Sequence, residues 1–513
     1  MTFVKKHPEY ILFFLFAIIG TCTASAYGMT WDELYQRTMG EVLYNYVFKN
    51  DGYYLVSPDR DHGPLFEFVL VLIEKIGNMT SSRSLYIMRH TVTHLFFLIS
   101  ALCFYKLIFL LYNKRSLAIL GFLFLVITPT IYGHSFFNSK DVPFLSLFII
   151  CFYQFALAFK DKKWYQFIWL GLFSCLLMNI RIMGILFVVF VLFFLLLDLY
   201  SFRKEKGSVK KHLLFLCLFT MATVLFTILI WPLLWHNPLQ NFLYVFKSLS
   251  KFGWGGVMLF NGNMISSENL TWTYIPTWFC INTPLIYLLL GFSGILLFII
   301  QQLKALKSFN LQAIDKNNVL YLLSFFAPVL AIIILNSVVF DSWRHLFYIY
   351  PSFILLAIYF MNFSMERSYK WIVSALAGIS IAMTAFFMMS NFPFSHVYFN
   401  ELVSLHKGEY LKQHYEMDYW GVSYNKSLEY IVSVDNRDTI TVFAQNSPGI
   451  DNANMLPDTQ KKHLVFVDAL EKADYFITNY RGHPNGYEEP NIIELKSFSV
   501  LGNKINSVFR VKK

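Results

Sequence analysis

The sequence predicts a polytopic α-helical membrane protein that carries a small α/β domain after its last span. Three observations make that prediction. Of 513 residues, 56% are hydrophobic and 19% aromatic but only 14% charged, whereas a soluble domain carries about 25% charged residues. Eleven apolar runs are each long enough to cross a bilayer, which takes roughly 17 to 25 residues. The connections between alternate runs are basic, as cytoplasmic loops are.

The runs cover about 10–28, 89–111, 116–132, 143–159, 164–180, 182–200, 212–234, 283–303, 319–339, 345–362 and 370–390. Basic residues precede the first run, but no small-residue cleavage site stands out, so an uncleaved span is expected there. With Lys5 and Lys6 inside, the cytoplasmic connections are Asn113-Lys114-Arg115, Lys160 to Lys163, Arg203 to Lys211, Lys304 to Lys316 and Arg367 to Lys370. All five are basic. The short connections on the opposite face carry only single cations, chiefly Lys140, Arg181 and Arg344. This arrangement predicts a transmembrane unit over 1–390, with its N-terminus cytoplasmic. Residues 391–513 then form an external domain.

Two external segments are long. In the first, 29–88, the stretch HGPLFEFVLVLIEKIG is apolar but short for a span, and is expected to lie at or dip into the membrane surface. The other is the fourth loop, about 236–282. In the tail, SYNKSLEYIVSV carries helix signals and TITVFA, HLVFV and DYFITNY carry strand signals. IIELKSFSVLG followed by KINSVFRV reads as a terminal hairpin.

Other features exclude function classes. The net charge of +10 resides in the cytoplasmic loops and calls for no nucleic-acid partner. The six cysteines, Cys22, Cys103, Cys151, Cys175, Cys217 and Cys280, fall in or near spans and show neither a disulfide framework nor zinc spacing. No internal repeat, phosphate-binding G-x-x-x-x-G-K loop or serine nucleophile elbow is visible.

Chemistry is concentrated in the polar residues of the external face. Asp32 and Glu33, in TWDE, follow the first span, and Asp141 precedes the fourth. Carboxylates at similar depth could bind a divalent cation, or one could take a proton from an attacking hydroxyl; as a plainer alternative they are helix caps. Lys140, Arg181 and Arg344 oppose the orientation bias, which points to an anion such as phosphate, with snorkelling as the alternative. His62, His134, His345 and Asn138 join the set as candidate donors or ligands.

At these residues the chain resembles glycosyltransferase family 39, the dolichyl-phosphate-mannose protein mannosyltransferase type, whose members are membrane enzymes of the GT-C fold. The resemblance rests on TWDE, HGPL, FFNSKDVPF and MNIRIMG. Its bacterial form is marked by DSWRH at Asp341 to His345, and by VYFNEL and DYWGVSY at Val397 to Leu402 and Asp418 to Tyr424. It implies an inverting sugar transfer from a polyprenyl-phosphate carrier at the external membrane face. Asp32 would be the base or an acceptor-orienting carboxylate, Glu33 its neighbour and Asp141 the second acidic position. Lys140, Arg181 and Arg344, with His345, would hold the departing phosphate. A divalent ion at Asp32 and Asp141 is a further expectation.

The large inserted lumenal domain of eukaryotic relatives has no counterpart, so the acceptor is left open among protein, lipid and glycan. Abundant Lys, Asn, Phe and Tyr points to an AT-rich bacterial genome, hence an inner-membrane protein with a periplasmic site; a eukaryotic source would make the site lumenal. Two other classes compete: a transporter or flippase of lipid-linked sugars, and a non-catalytic scaffold whose tail binds a partner.

Overall fold

A computed structural model describes residues 7–203, 206–250, 253–306 and 315–512. Lys5, Lys6, Lys204 and residues 307–314, part of the orientation argument, lie outside the described residues. The apolar runs are helical because their backbone groups must be satisfied within the segment where no water is available. The helices are α1 (Pro8–Thr23), α2 (Glu33–Lys49), α3 (Leu65–Ile76), α4 (Ser82–Tyr112), α5 (Arg115–Val126), α6 (Pro129–Phe137), α7 (Asp141–Asp161), α8 (Trp164–Ile180), α9 (Ile185–Ser201), α10 (Lys206–Ile230), α11 (Pro238–Ser250), α12 (Tyr274–Asn282), α13 (Leu285–Leu306), α14 (Lys316–Leu335), α15 (Tyr350–Ser364), α16 (Lys370–Ser390) and, in the tail, α17 (Tyr424–Val434).

Among the described residues, nine helices are long and apolar enough to cross a membrane. The expected third and fifth spans differ from simple rods. The third is the bent pair α5 and α6, which meet at 63°. Pro129 starts α6, and a residue before proline is pushed out of helical geometry. Thr128 makes the break tolerable: its hydroxyl donates to the Phe124 carbonyl at 2.6 Å and meets the Tyr350 hydroxyl at 2.8 Å. The fifth, α8, is a 17-residue apolar helix that ends where Arg181 turns extended, with φ −144° and ψ 130°.

Helix α7 and the α15 span are the most enclosed. Helix α7 packs on α4, α8 on α10, and α13 on α15. The last pair is close because Gly294 lacks a side chain: a Cβ there would lie 1.9 Å from the Leu356 carbonyl oxygen. The apolar stretch after HGP is α3, which packs on α2 and buries Phe66, Leu70 and Val71. At 12 residues it does not span.

The fourth long loop contains a hairpin of β1 (Val257–Phe260) and β2 (Asn263–Ser266). In the tail, β3 (Ile440–Ala444), β4 (Leu464–Phe466), β5 (Tyr475–Thr478), β6 (Ile492–Val500) and β7 (Asn503–Val511) form one sheet in the order β4-β3-β5-β7-β6. Strand β3 is parallel to β4 and β5, and the β6–β7 hairpin joins antiparallel through β7.

The tail divides differently from a boundary at 391. Phe394, Val397, Tyr398, Phe399, Tyr415, Tyr419, Trp420 and Val422 are buried in the same apolar core as the membrane helices. The sheet has apolar clusters of its own, one of them beginning at Tyr424, while Val500 and Ile505 of its terminal hairpin join the core of the helices. The Asn400 side chain donates to the Cys280 and Thr283 carbonyls, at 2.6 and 3.0 Å. Residues 392–422 are therefore a strap over one end of the helices, and the sheet stands on it.

Candidate active site

Beneath the strap, the ends of α6, α7, α8 and the α15 span converge with the start of α2. Local sequence explains how each side chain is aimed. Asn138 ends α6, and its side chain accepts from the Asp141 backbone N–H at 2.8 Å while donating to Oδ2 of Asp141 at 2.9 Å. One residue thus sets both the start of α7 and the rotamer of its first carboxylate. The extended backbone of Arg181 carries its guanidinium across to Oδ1 of Asp141.

Arg344 reaches the same group from the opposite side, with Nη1 at 3.4 Å from Oδ2 of Asp141 and 3.7 Å from Oδ2 of Asp32. Its guanidinium lies between two rings, 4.5 Å from the centroid of Trp420 and 4.8 Å from that of Phe340, where stacking adds to charge pairing. Four of the expected residues are therefore together: Asp32, Asp141, Arg181 and Arg344.

Their exposures differ. The Asp141 side chain is 2% exposed and that of Asp32 is 40% exposed. Asp141 is sealed between two cations, whereas Asp32 is partly exposed. Dense surrounding protein still raises the pKa of Asp32, opposed by Arg344 and assisted by Asp341 and Asp141. Among the described residues, the buried Nε–H groups of Arg181 and Arg344 meet no protein acceptor.

Other expected residues serve elsewhere. Glu33 is a correction: it caps the loop, accepting from the Thr30 N–H at 2.9 Å and meeting Nε2 of His90 at 2.8 Å. Its side chain points away from Asp32 because helix geometry turns successive residues by about 100°. His134 is fully buried, and its ring meets the Asn138 amide at 3.1 Å and the Tyr419 hydroxyl at 3.2 Å. It joins α6 to the strap. His345 packs edge-on to Phe340.

Lys140 stands beside the cluster, but its ammonium donates to the Gly63 carbonyl at 2.7 Å. Burial and Arg181 lower its pKa to about 8. Gly63 is required there, since a Cβ would lie 1.8 Å from the Asn179 carbonyl oxygen. His62 lies in the same loop, 3.0 Å from Asp61 and 3.5 Å from Asp59. These three residues bring possible ligand atoms within 4.8 Å of one another. The pair expected to hold a divalent ion suits one poorly, because Asp141 already shares both oxygens with Arg181, Arg344 and Asn138.

Sequence reasoning missed three members of the site. Trp420 covers Arg344. Asp341 holds Nη2 of Arg344 at 3.4 Å. Arg481, from the turn after β5, donates to Asp341 at 2.7 Å. The DSWRH and DYWGVSY motifs contained the first two, and nothing in the local sequence around Arg481 distinguishes it.

A paired carboxylate and guanidinium cluster at one helix end of a polytopic helical protein is a candidate site for an anionic group. Residues 61–231 match the family model described as dolichyl-phosphate-mannose-protein mannosyltransferase, a match that supports a membrane glycosyltransferase of the mannosyltransferase type. The matched region holds Asn138, Lys140, Asp141 and Arg181, while Asp32 and Arg344 join them through the fold. No curated protein matches the chain.

Proposed function

We propose that this protein transfers a sugar, with inversion, from a polyprenyl-phosphate carrier to a hydroxyl acceptor at the external face of a bacterial inner membrane, with the sheet domain periplasmic. The observation that carries the reading is the division of labour between the two aspartates. Asp141 fastens Arg181 and Arg344 while Asp32 stays open beside them.

The acceptor hydroxyl gives its proton to Asp32 as its oxygen bonds to the anomeric carbon. The bond from that carbon to the carrier phosphate breaks, and its electron pair leaves with the phosphate. Arg181 and Arg344 then meet the growing negative charge with donors already in place, which is worth most in a site shielded from water. Lys140 adds positive potential from behind. We assign no step to a divalent ion. The acceptor is a protein, lipid or glycan hydroxyl.

The test is release of free polyprenyl phosphate from a panel of polyprenyl-phosphate sugars by the purified protein in lipid, alongside Asp32→Asn and Asp141→Asn. Release by the parent that collapses in both folded variants supports the reading. Unchanged release in the variants would place the chemistry elsewhere. Movement of the lipid-linked sugar across vesicles without a new glycosidic bond would make the protein a transporter.

A further inference from the structure

We propose that Arg481, delivered by the sheet domain, is a positioning residue of the transfer centre that sets Asp32 and Arg344 relative to each other. The inference rests on the glycosyl-transfer reading above. Its guanidinium sits where the two arms of the site cross. Nη2 donates to Oδ1 of Asp341 at 2.7 Å, and the other oxygen of Asp341 holds Nη2 of Arg344 at 3.4 Å. Nη1 donates to the Tyr419 carbonyl at 2.8 Å, the same oxygen that accepts from the Trp31 indole N–H at 2.9 Å. The guanidinium also lies 5.3 Å from the Trp31 ring centroid. Trp31 immediately precedes Asp32, and Asp341 lies three residues before Arg344.

Both sides of this contact are held in place. Asp341 and Ser342 have φ values of +56° and +68°, the left-handed region that residues with a Cβ seldom occupy in succession. Such backbone persists only where its surroundings impose it. Here the Ser342 N–H donates to the Tyr274 hydroxyl at 3.2 Å and its side chain meets Asn282 at 3.1 Å. On the sheet side, the Arg481 carbonyl accepts from Gln445 at 2.5 Å, and Asn479 donates to the Asp418 carbonyl at 2.8 Å. Asn452 then ties the domain to Met29 through two bonds of 2.9 Å. The sheet is thereby a brace for the site.

The experiment compares the parent with Arg481→Gln, Arg481→Lys, Asp341→Asn and the Arg481→Gln/Asp341→Asn double variant, with Asp141→Asn as the control for the reaction itself. Displacing a reacting group by about 1 Å can cost about 100-fold. The expected result for Arg481→Gln is therefore a kcat lowered by about 10- to 100-fold, with the donor KM within about threefold of the parent. Asp341→Asn should also lower kcat, and the double variant should lose clearly less than the product of the two single losses, because the two residues share one contact. Arg481→Lys should recover part of the rate. Should the Gln variant unfold, the folded Lys and Asn variants still decide the matter. Parent-like kcat in folded Arg481→Gln, or additive losses in the double variant, would overturn the role of Arg481 while Asp141→Asn still reports the reaction. Absence of transfer by the parent with every donor would overturn the reading and this inference together.

Discussion

Replacing Arg181 by Gln separates catalysis from stability. In the folded protein its guanidinium contacts Asp141, whose side chain is 2% exposed, while that of Arg181 itself is 25% exposed. Removing one partner of a buried ion pair costs about 3–5 kcal/mol when a bare charge is left behind. Asp141 is not left bare, for it keeps Arg344 at 3.4 Å and Asn138 at 2.9 Å. The stability loss should then fall to about 1–2 kcal/mol, between that limit and the roughly 0–1 kcal/mol of an exposed pair.

The barrier should rise more. Losing one fixed donor to charge that develops in the transition state costs about 2.7–4 kcal/mol, a factor of about 100 to 1,000. The assay is polyprenyl phosphate release at saturating donor, run beside thermal unfolding in the same lipid. The expected outcome is a loss of at least about 100-fold in rate with a melting shift of a few degrees. Arg181→Gln that stays folded and turns over within about threefold of the parent would refute the assignment of Arg181 to the departing phosphate.

Three further outcomes follow from charge. Asp32 has a folded pKa raised chiefly by burial, so the stability it contributes is full below its unfolded value near about 3.9 and is lost as pH rises through the folded value. Asp32→Asn should therefore unfold at the same or a higher temperature than the parent at pH 7 while losing activity, and the parent's acidic rate limb should lie above the ordinary aspartate range. Lys140 loses its proton at about 8, so turnover should decline as pH rises through that value, and Lys140→Arg should move the decline upward in a pH–rate profile. Glu416 is buried 4.0 Å from the Arg481 guanidinium, and burial, opposed by that cation, raises its pKa to about 7. Its stabilisation is full below about 4.5 and lost through about 7, so Glu416→Gln should narrow the difference in melting temperature between pH 5 and pH 8.

The helices were legible because a bilayer leaves the chain few choices. The sheet strands and the β6–β7 hairpin were legible from alternation and turn residues. The broken third span was not, since Pro129 lies in an apolar run long enough to span and the hydroxyl of Thr128 makes the break affordable only in three dimensions. Asp32, Asp141, Arg181 and Arg344 stood out because charge beside a membrane is costly without a purpose. Glu33 carried the same signal for a different reason: its charge serves a buried pair with His90, and a pattern of acidic residues does not reveal which way successive side chains turn.

Arg481 was invisible for a physical reason that bears on how the enzyme is built. Its charge sits in a polar domain where arginine is ordinary, and only the docking of that domain brings it to Asp341. The sequence places Asp32, Asp141, Arg344 and Arg481 in four segments spread over some 450 residues, and the ion pairs Arg344–Asp32, Arg344–Asp141 and Arg481–Asp341 each join two of the chain's distant segments. Arg344 alone contacts Asp32, Asp141 and Asp341. A buried charge left without its partner is expensive, so a membrane unit assembled without the strap and sheet would leave Asp341 without Arg481 and Arg344 without the cover of Trp420. Correct placement of the sheet domain and assembly of the transfer centre are, on this geometry, one event.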